Sequence, residues 1–281
     1  MAYRVCVIGL GLMGASLAGA LRGFREAGIV GVDTLGAVRA KAKLSGIVDE
    51  VFADAGEGIR DADLVIFCVY AHNIPDMIAA NVSAFKPGAV VSDICGVKSG
   101  LYARLAGLLP DGVDYVGVHP MAGKERDGFD NADPAIYKNS GFIICPLPSS
   151  GSESIELMRE LAGHIGAARV AVSTPDRHDA IIAYTSDLMH IASAALCVEY
   201  HPEMTSAFTA GAFRDSTRVA DINAGAWTEL LMDNRAHTMA RLDSYIDVLR
   251  RMRGALADCD TARLYELLER AGENKREILR K

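Results

Sequence analysis

Tryptophan occurs once in this 281-residue chain, and aromatic residues make up only 6% of it. The six cysteines (Cys6, Cys68, Cys95, Cys145, Cys197 and Cys259) form no C-x-x-C pair. That excludes the usual zinc and redox spacings, and it predicts buried free thiols in a reducing cytoplasm. A basic excess is also missing: 29 Lys and Arg stand against 36 Asp and Glu, a net charge of −7. Both sides of Ser173 are acidic, so neither is an electrostatic platform for nucleic acid, and an anionic ligand needs local Arg or His. Met1–Leu21 has an Arg followed by an apolar stretch, as a signal peptide does, but its glycines at 9, 11 and 14 have a better use. No other stretch reads as long and apolar enough to cross a bilayer, so no membrane partner is expected. Internal repeats and low-complexity tracts are lacking.

Half of the residues are apolar and 23% are charged, an ordinary globular composition, and the length suggests two domains. Val5–Ile8, Ile29–Val32, Leu64–Val69, Ala89–Val91, Tyr115–Val118 and Phe142–Cys145 read as strands. Their runs are continuously apolar, as in strands covered on both faces. Leu12–Arg22, Thr34–Ser45, Leu101–Leu109 and Ile155–Ile165 read as helices, and the alternation implies a parallel sheet with right-handed crossovers. After Ser173-Thr174-Pro175 the pattern turns helical. Ala180–Glu199 is long and apolar, Trp227–Leu256 carries a helical stripe, and Leu264–Leu268 and Lys275–Leu279 close the chain. The expected architecture is α/β: a Rossmann-like domain over residues 1–173, then an all-helical domain over 174–281. Long apolar helices in so short a domain suggest a homodimer.

Gly9-Leu10-Gly11-Leu12-Met13-Gly14 follows a strand and opens a helix. Gly9 would allow the tight turn, Gly11 the approach of a pyrophosphate, and Gly14 close helix–strand packing. The helix N-terminus offers N–H donors to phosphate. Asp33 ends the second strand, 19 residues after Gly14. A carboxylate there accepts from ribose hydroxyls and repels a 2′-phosphate, so NAD is expected over NADP.

Three further stretches carry chemistry. His119-Pro120-Met121-Ala122-Gly123-Lys124-Glu125 follows a strand, on the side where open sheets bind ligands. A histidine there suits proton transfer, and a surface-loop histidine beside a turn proline would look the same. In Thr185-Ser186-Asp187-Leu188-Met189-His190 the polar residues Ser186, Asp187 and His190 share a helix face. That face either lines a cleft or surrounds a core histidine. Phe213-Arg214-Asp215-Ser216-Thr217-Arg218, with Trp227 beyond it, holds an arginine suited to clamp a carboxylate or to pair with Asp215 or Asp221.

Together with Asp93-Ile94-Cys95-Gly96-Val97-Lys98, these stretches, in this order, resemble the prephenate/arogenate dehydrogenase family of tyrosine biosynthesis. The resemblance implies an NAD-binding domain, a helical dimerisation domain and a cleft between them. It implies oxidative decarboxylation of prephenate to 4-hydroxyphenylpyruvate, or the same chemistry on arogenate to give tyrosine. By resemblance, His119 draws the proton from the C4 hydroxyl. Arg218 would bind a carboxylate, His190 would help hold the substrate and Trp227 would lie near the pocket; Ser186, Lys124 and Glu125 are further substrate-binding candidates. Gly9, Gly11, Leu12, Met13, Gly14, Asp33 and Val69 would hold NAD.

Three positions depart from the family pattern. Many members have Ser at Gly96, where it supports the histidine, a second His at Asp187, and Ser or Thr at Lys124. By charge alone, Lys124 would contact a carboxylate and Asp187 an amine. The ends of the chain predict no fused mutase and no added regulatory domain. Two rival readings fit the residues less well. A β-hydroxyacid dehydrogenase needs a lysine early in the second domain, but none occurs between Lys138 and Lys275. A non-catalytic NAD-binding sensor or scaffold would have no use for His119, His190 and Arg218.

Overall fold

The computed structural model describes residues 2–105, 107–124, 126–199, 201, 203, 206–278 and 280. Its contacts divide the chain into two compact units, residues 1–234 and 235–281.

The first unit is built on an eight-stranded sheet. In chain order it runs through β1 (Arg4–Ile8), α1 (Leu12–Ala20), β2 (Gly28–Val32), α2 (Gly36–Leu44), β3 (Glu50–Phe52), α3 (Ala55–Ile59), β4 (Leu64–Phe67) and α4 (Ile74–Ala80). Then follow β5 (Val90–Asp93), α5 (Ser99–Leu105), β6 (Asp114–Met121), β7 (Gly141–Pro146), α6 (Ser152–His164) and β8 (Arg169–Val172). The strand order is β3-β2-β1-β4-β5-β6-β7-β8. The order reverses at β1, the topological switch point where such sheets bind nucleotides. Val5, Cys6, Val7, Leu64, Val65, Phe67 and Val91 have no exposed surface, which is why these runs read as continuously apolar. Two apolar cores lie on the two faces of the sheet, one around Leu17, Leu21 and Phe24, the other around Ile59, Ile74 and Ile78.

Several expectations are corrected. The sheet is mostly parallel, but β7 runs antiparallel to β6, with His119 opposite Ile143. β3 and β8 were not expected: each is an edge strand of three or four residues with exposed positions, too brief an apolar run to stand out. Cys197 and Cys259 are exposed, not buried. Leu264–Leu268 and Lys275–Leu279 belong to one helix rather than two, and Leu279 lies outside the described residues.

Beyond β8 the first unit continues with α7 (Pro175–Ile182), a π-helical turn (Ala183–Asp187), α8 (Leu188–Val198), α9 (Gly211–Thr217) and α10 (Ala224–Asp233). The expected single helix Ala180–Glu199 therefore starts earlier and is offset at residues 183–187 by the wider turn. The continuous run Pro175–Val198 has a mean hydropathy of 1.5 over its most apolar window, so by length and composition it is long enough to cross a membrane, contrary to the expectation above. Its buried face nevertheless carries His178, Asp179 and Asp187, hydrogen-bonded within the protein, a pattern built for packing against protein. The expected helix Trp227–Leu256 is broken at Asn234, which caps α10 in a non-helical conformation.

The second unit holds α11 (Arg235–Ala257) and α12 (Thr261–Ile278), packed on each other. Leu249, Leu256, Tyr265 and Leu268 on these helices are exposed.

Candidate active site

The glycine loop starts from β1. Gly9 has a φ of +90°, and its N–H donates to the Val32 carbonyl at 2.8 Å, so the chain turns sharply over the end of β2. A Cβ at Gly14 would lie 1.8 Å from the Gly9 carbonyl oxygen, whereas one at Gly11 would meet nothing within 4 Å. Gly14 thus seats α1 on the loop, and Gly11 leaves open space. Gly11 caps α1 without a side-chain hydrogen bond, so the first-turn amides of Leu12 and Met13 are available to an anion. The Asp33 carboxylate accepts from Leu10 N and Leu35 N, both at 2.9 Å, which clamps it beside the loop. This open cradle, uncapped helix end and aligned carboxylate fit a dinucleotide. Gly14→Ala is expected to cost at least about 1–3 kcal/mol through backbone overpacking and to lower Tm by several degrees. A scanning calorimetry trace at the wild-type Tm would contradict it.

Val69 follows β4 and lines a cavity of about 150 Å³ with Cys95, Gly96 and Leu230. Gly96 and Leu230 are shared with a larger cavity of about 540 Å³, which brings together His119, Lys124, Ser186, His190, Arg218 and Trp227. Of the substrate-facing residues expected from sequence, Glu125 lies outside the described residues. Arg126 and Asp127 also line the larger cavity. Neither drew notice in the sequence, although Arg126 stands two places beyond Lys124. The described wall thus carries three cationic side chains against one carboxylate, and Asp127 accepts from Asn223 Nδ2 at 2.6 Å. An acidic protein has made a locally positive hollow.

Each wall residue is placed by its element. His119 lies near the end of β6 with its ring half-buried. His190 Nδ1–H donates to the Ser186 carbonyl at 2.9 Å, and its ring stacks on Trp227 with centroids 3.6 Å apart. Lys124 reaches Asp133 at 3.2 Å. Asp187 does not belong to this wall. It is fully buried and accepts from Asn234 Nδ2 at 2.7 Å, because successive residues of a helical turn point in different directions and Asp187 is turned away from its neighbour Ser186. The expected contact of Asp187 with a substrate amine is overturned.

The segment from Asp93 to Lys98 supports His119 from below. Lys98 is fully buried; its ammonium donates to Asp93 Oδ1 and to the Val118 carbonyl, tying β5 to β6. Tyr115 Oη donates to the other Asp93 oxygen at 2.6 Å. A Cβ at Gly96 would lie 3.8 Å from His119 Nε2 but only 3.1 Å from Leu230 Cδ1. Leu230 has taken the space that a side chain at position 96 would use.

Two functional candidates were missed in the sequence. His119 Nδ1 lies 2.9 Å from His178 Nε2, and His178 Nδ1 lies 2.7 Å from Asp179 Oδ1. Both residues sit in the first turns of α7, where Thr174 supplies the N-cap and Pro175 the first position. The signal was an adjacent His-Asp pair just past a helix start, read only as a domain boundary. Despite its burial, the Asp179 carboxyl is held below the ordinary range by hydrogen bonds from His178, Ser99 and Lys98. Burial, followed by the neighbouring His178 and Lys98, pushes the pKa of His119 well below 6.5. Its imidazole is therefore neutral at physiological pH and able to accept a proton.

A family model described as prephenate dehydrogenase, nucleotide-binding domain, matches residues 17–171, and one described as prephenate dehydrogenase, dimerization domain, matches residues 174–270. The first match begins beyond Gly14, so the glycine loop stands on its own geometry. Cyclohexadienyl dehydrogenase of Zymomonas mobilis is 29% identical over 270 residues, covering 94% of this chain and 92% of that protein. Prephenate dehydrogenase of Bacillus subtilis is 26% identical over 281 residues, covering 96% and 75%. Among solved structures, arogenate dehydrogenase of Synechocystis is 25% identical with a TM-score of 0.83, covering 98% of this chain and 99% of that one. The prephenate dehydrogenase of A. aeolicus, solved with hydroxyphenyl propionate and NAD+, shares the fold at a TM-score of 0.87 and 24% identity, covering 99% of each chain.

Proposed function

The chain belongs to the prephenate dehydrogenase family, and we propose that its larger cavity carries out the NAD-dependent oxidative decarboxylation of prephenate to 4-hydroxyphenylpyruvate. The observation that carries this reading is the meeting of a neutral, half-buried imidazole with three cationic side chains in one hollow. Prephenate carries two carboxylates and a C4 hydroxyl. Arg218 binds one carboxylate by charge-assisted hydrogen bonds, and Lys124 and Arg126 supply charge for the other. The stacked His190–Trp227 pair flanks the ring. His119 Nε2 takes the hydroxyl proton as C4 is oxidised, and the ring loses CO₂ and becomes aromatic. The proton returns to the phenolic oxygen, so the reaction releases none. NAD, which the Gly9–Gly14 loop, Asp33 and Val69 would hold, would supply the hydride acceptor. The residues align the reacting carbon; the driving force of aromatisation belongs to the substrate.

Arogenate, with an ammonium in place of the keto group, is the second reading, favoured by the arogenate and cyclohexadienyl dehydrogenases among its relatives. The positive wall favours the dianion. NADH absorbance with purified prephenate and arogenate tests both: kcat/KM is expected to be higher for prephenate. A flat trace with both substrates would overturn the enzyme reading, and a higher value for arogenate would reverse the preference.

Cofactor choice is tested at Asp33. Asp33→Ser removes the carboxylate that would accept from the ribose hydroxyls, while Arg39, whose guanidinium reaches the Asp33 carbonyl at 2.8 Å, stays to attract a 2′-phosphate. The NADP to NAD ratio of kcat/KM is expected to rise about tenfold or more, the effect of one favourable charge contact. An unchanged ratio would mean that another group reads the ribose.

The second family model is described as a dimerization domain, and the exposed Leu249, Leu256, Tyr265 and Leu268 would supply the apolar face of a homodimer. All six thiols are free, as a cytoplasmic protein's would be.

A further inference from the structure

We propose that His178, anchored by Asp179, is a positioning residue that fixes the tautomer of His119, holding its proton on Nδ1 and turning the lone pair of Nε2 into the cavity. Asp179 Oδ1 accepts from the Lys98 amide at 2.9 Å, and Oδ2 accepts from the Ser99 amide at 2.8 Å. An ionised carboxylate only accepts, so at 2.7 Å the His178 Nδ1 must carry its proton. A neutral His178 then has a bare Nε2, which can only accept from His119 Nδ1 across 2.9 Å. That leaves His119 Nε2 without a proton, on the side facing Gly96 and the cavity.

The alternative arrangement disables the site. If His178 Nε2 carried a proton, His119 Nδ1 would have to accept it, and Nε2–H would point at the substrate hydroxyl as a donor. The chain His119–His178–Asp179 therefore makes a base by dictating which nitrogen is free, much as a buried aspartate orients the histidine of a hydrolase triad. The partner comes from α7, behind the ring. On the cavity side, position 96 has no side chain and Leu230 fills the gap, so nothing described there competes for Nε2. Both His178 and Asp179 are about 1% exposed, so water does not replace either hydrogen bond.

The inference rests on His119 as the base, and the experiment separates the two ideas. ¹⁵N-resolved NMR of the histidine rings in the full-length, resting protein at neutral pH reads the tautomer without turnover. The expected result is His119 protonated at Nδ1 alone; protonation at Nε2 alone or at both nitrogens would overturn the proposal. In steady-state assays, His178→Leu is expected to lower kcat by about 10²-fold or more with KM for both substrates within about threefold. His178→Gln, whose amide oxygen can still accept from Nδ1–H, is expected to recover at least tenfold of that loss. A kcat for His178→Leu within twofold of wild type, or no recovery in His178→Gln when both variants fold, would overturn it. Should His178→Leu fail to fold, the wild-type tautomer decides alone. A wild type that reduces NAD with neither substrate sinks the base reading and leaves the tautomer measurement standing.

Discussion

Replacing His119 with Asn is expected to cut kcat by about 10²–10⁴-fold, the usual contribution of a positioned general base. Asn is the informative choice because its amide can still donate toward His178 Nε2, so the buried chain behind it keeps a partner. NAD affinity is expected to stay near wild type, since the Gly9–Gly14 loop and Asp33 lie on other elements. The pH profile adds a second check. Burial, then His178 and Lys98, lower the pKa of His119, so its own protonation should silence the base only on acidification well below pH 6.5. The direction also bears on stability. An unfolded chain takes up this proton at higher pH than the folded one, so acidification through that interval favours unfolding. In His119→Asn that share of the acid sensitivity should vanish together with the acid limb of kcat/KM. Turnover within tenfold of wild type would exclude His119 as the base.

The second large effect is expected at Arg218. Arg218→Ala removes a charge-assisted pair to a substrate carboxylate, worth about 1.5–3 kcal/mol, or roughly 10–150-fold in affinity. The loss should appear mainly in KM, with kcat changed far less, because the carboxylate is held equally in the ground and transition states. Arg218→Lys should recover part of it, since it keeps the charge but not the planar fork. Isothermal titration with a substrate analogue checks the binding directly. Unchanged affinity would move the carboxylate site to Lys124 or Arg126, the other cations of the wall.

His119 and Arg218 behave differently as sequence signals. His119 stands out because it follows an apolar strand, and a strand end is where an open sheet presents a ligand. Arg218 stands out only as part of a charged cluster, beside Asp215 and Asp221, and the cluster alone allows a structural pair. The cavity distinguishes these readings by gathering Arg218 with His119, His190 and Trp227. Asp187 and Ser186 make the same point from neighbouring positions: a helical wheel puts both near one face, yet one lines the hollow and the other is buried against Asn234.

The glycine loop, the buried strands of the sheet and the acid at the end of β2 were determined by the sequence alone. Each is a local property: a turn needing φ > 0, a run of side chains covered on both faces, a carboxylate at a fixed distance along the chain. The antiparallel β7, the π turn before α8 and above all the partner of His119 were decided by tertiary structure. His178 lies 59 residues from His119, and its ring meets the imidazole only because α7 is packed beside the end of β6. No local period or spacing encodes such a meeting. It arises when two distant segments bury polar groups against each other, and each must then find its hydrogen bond in the other.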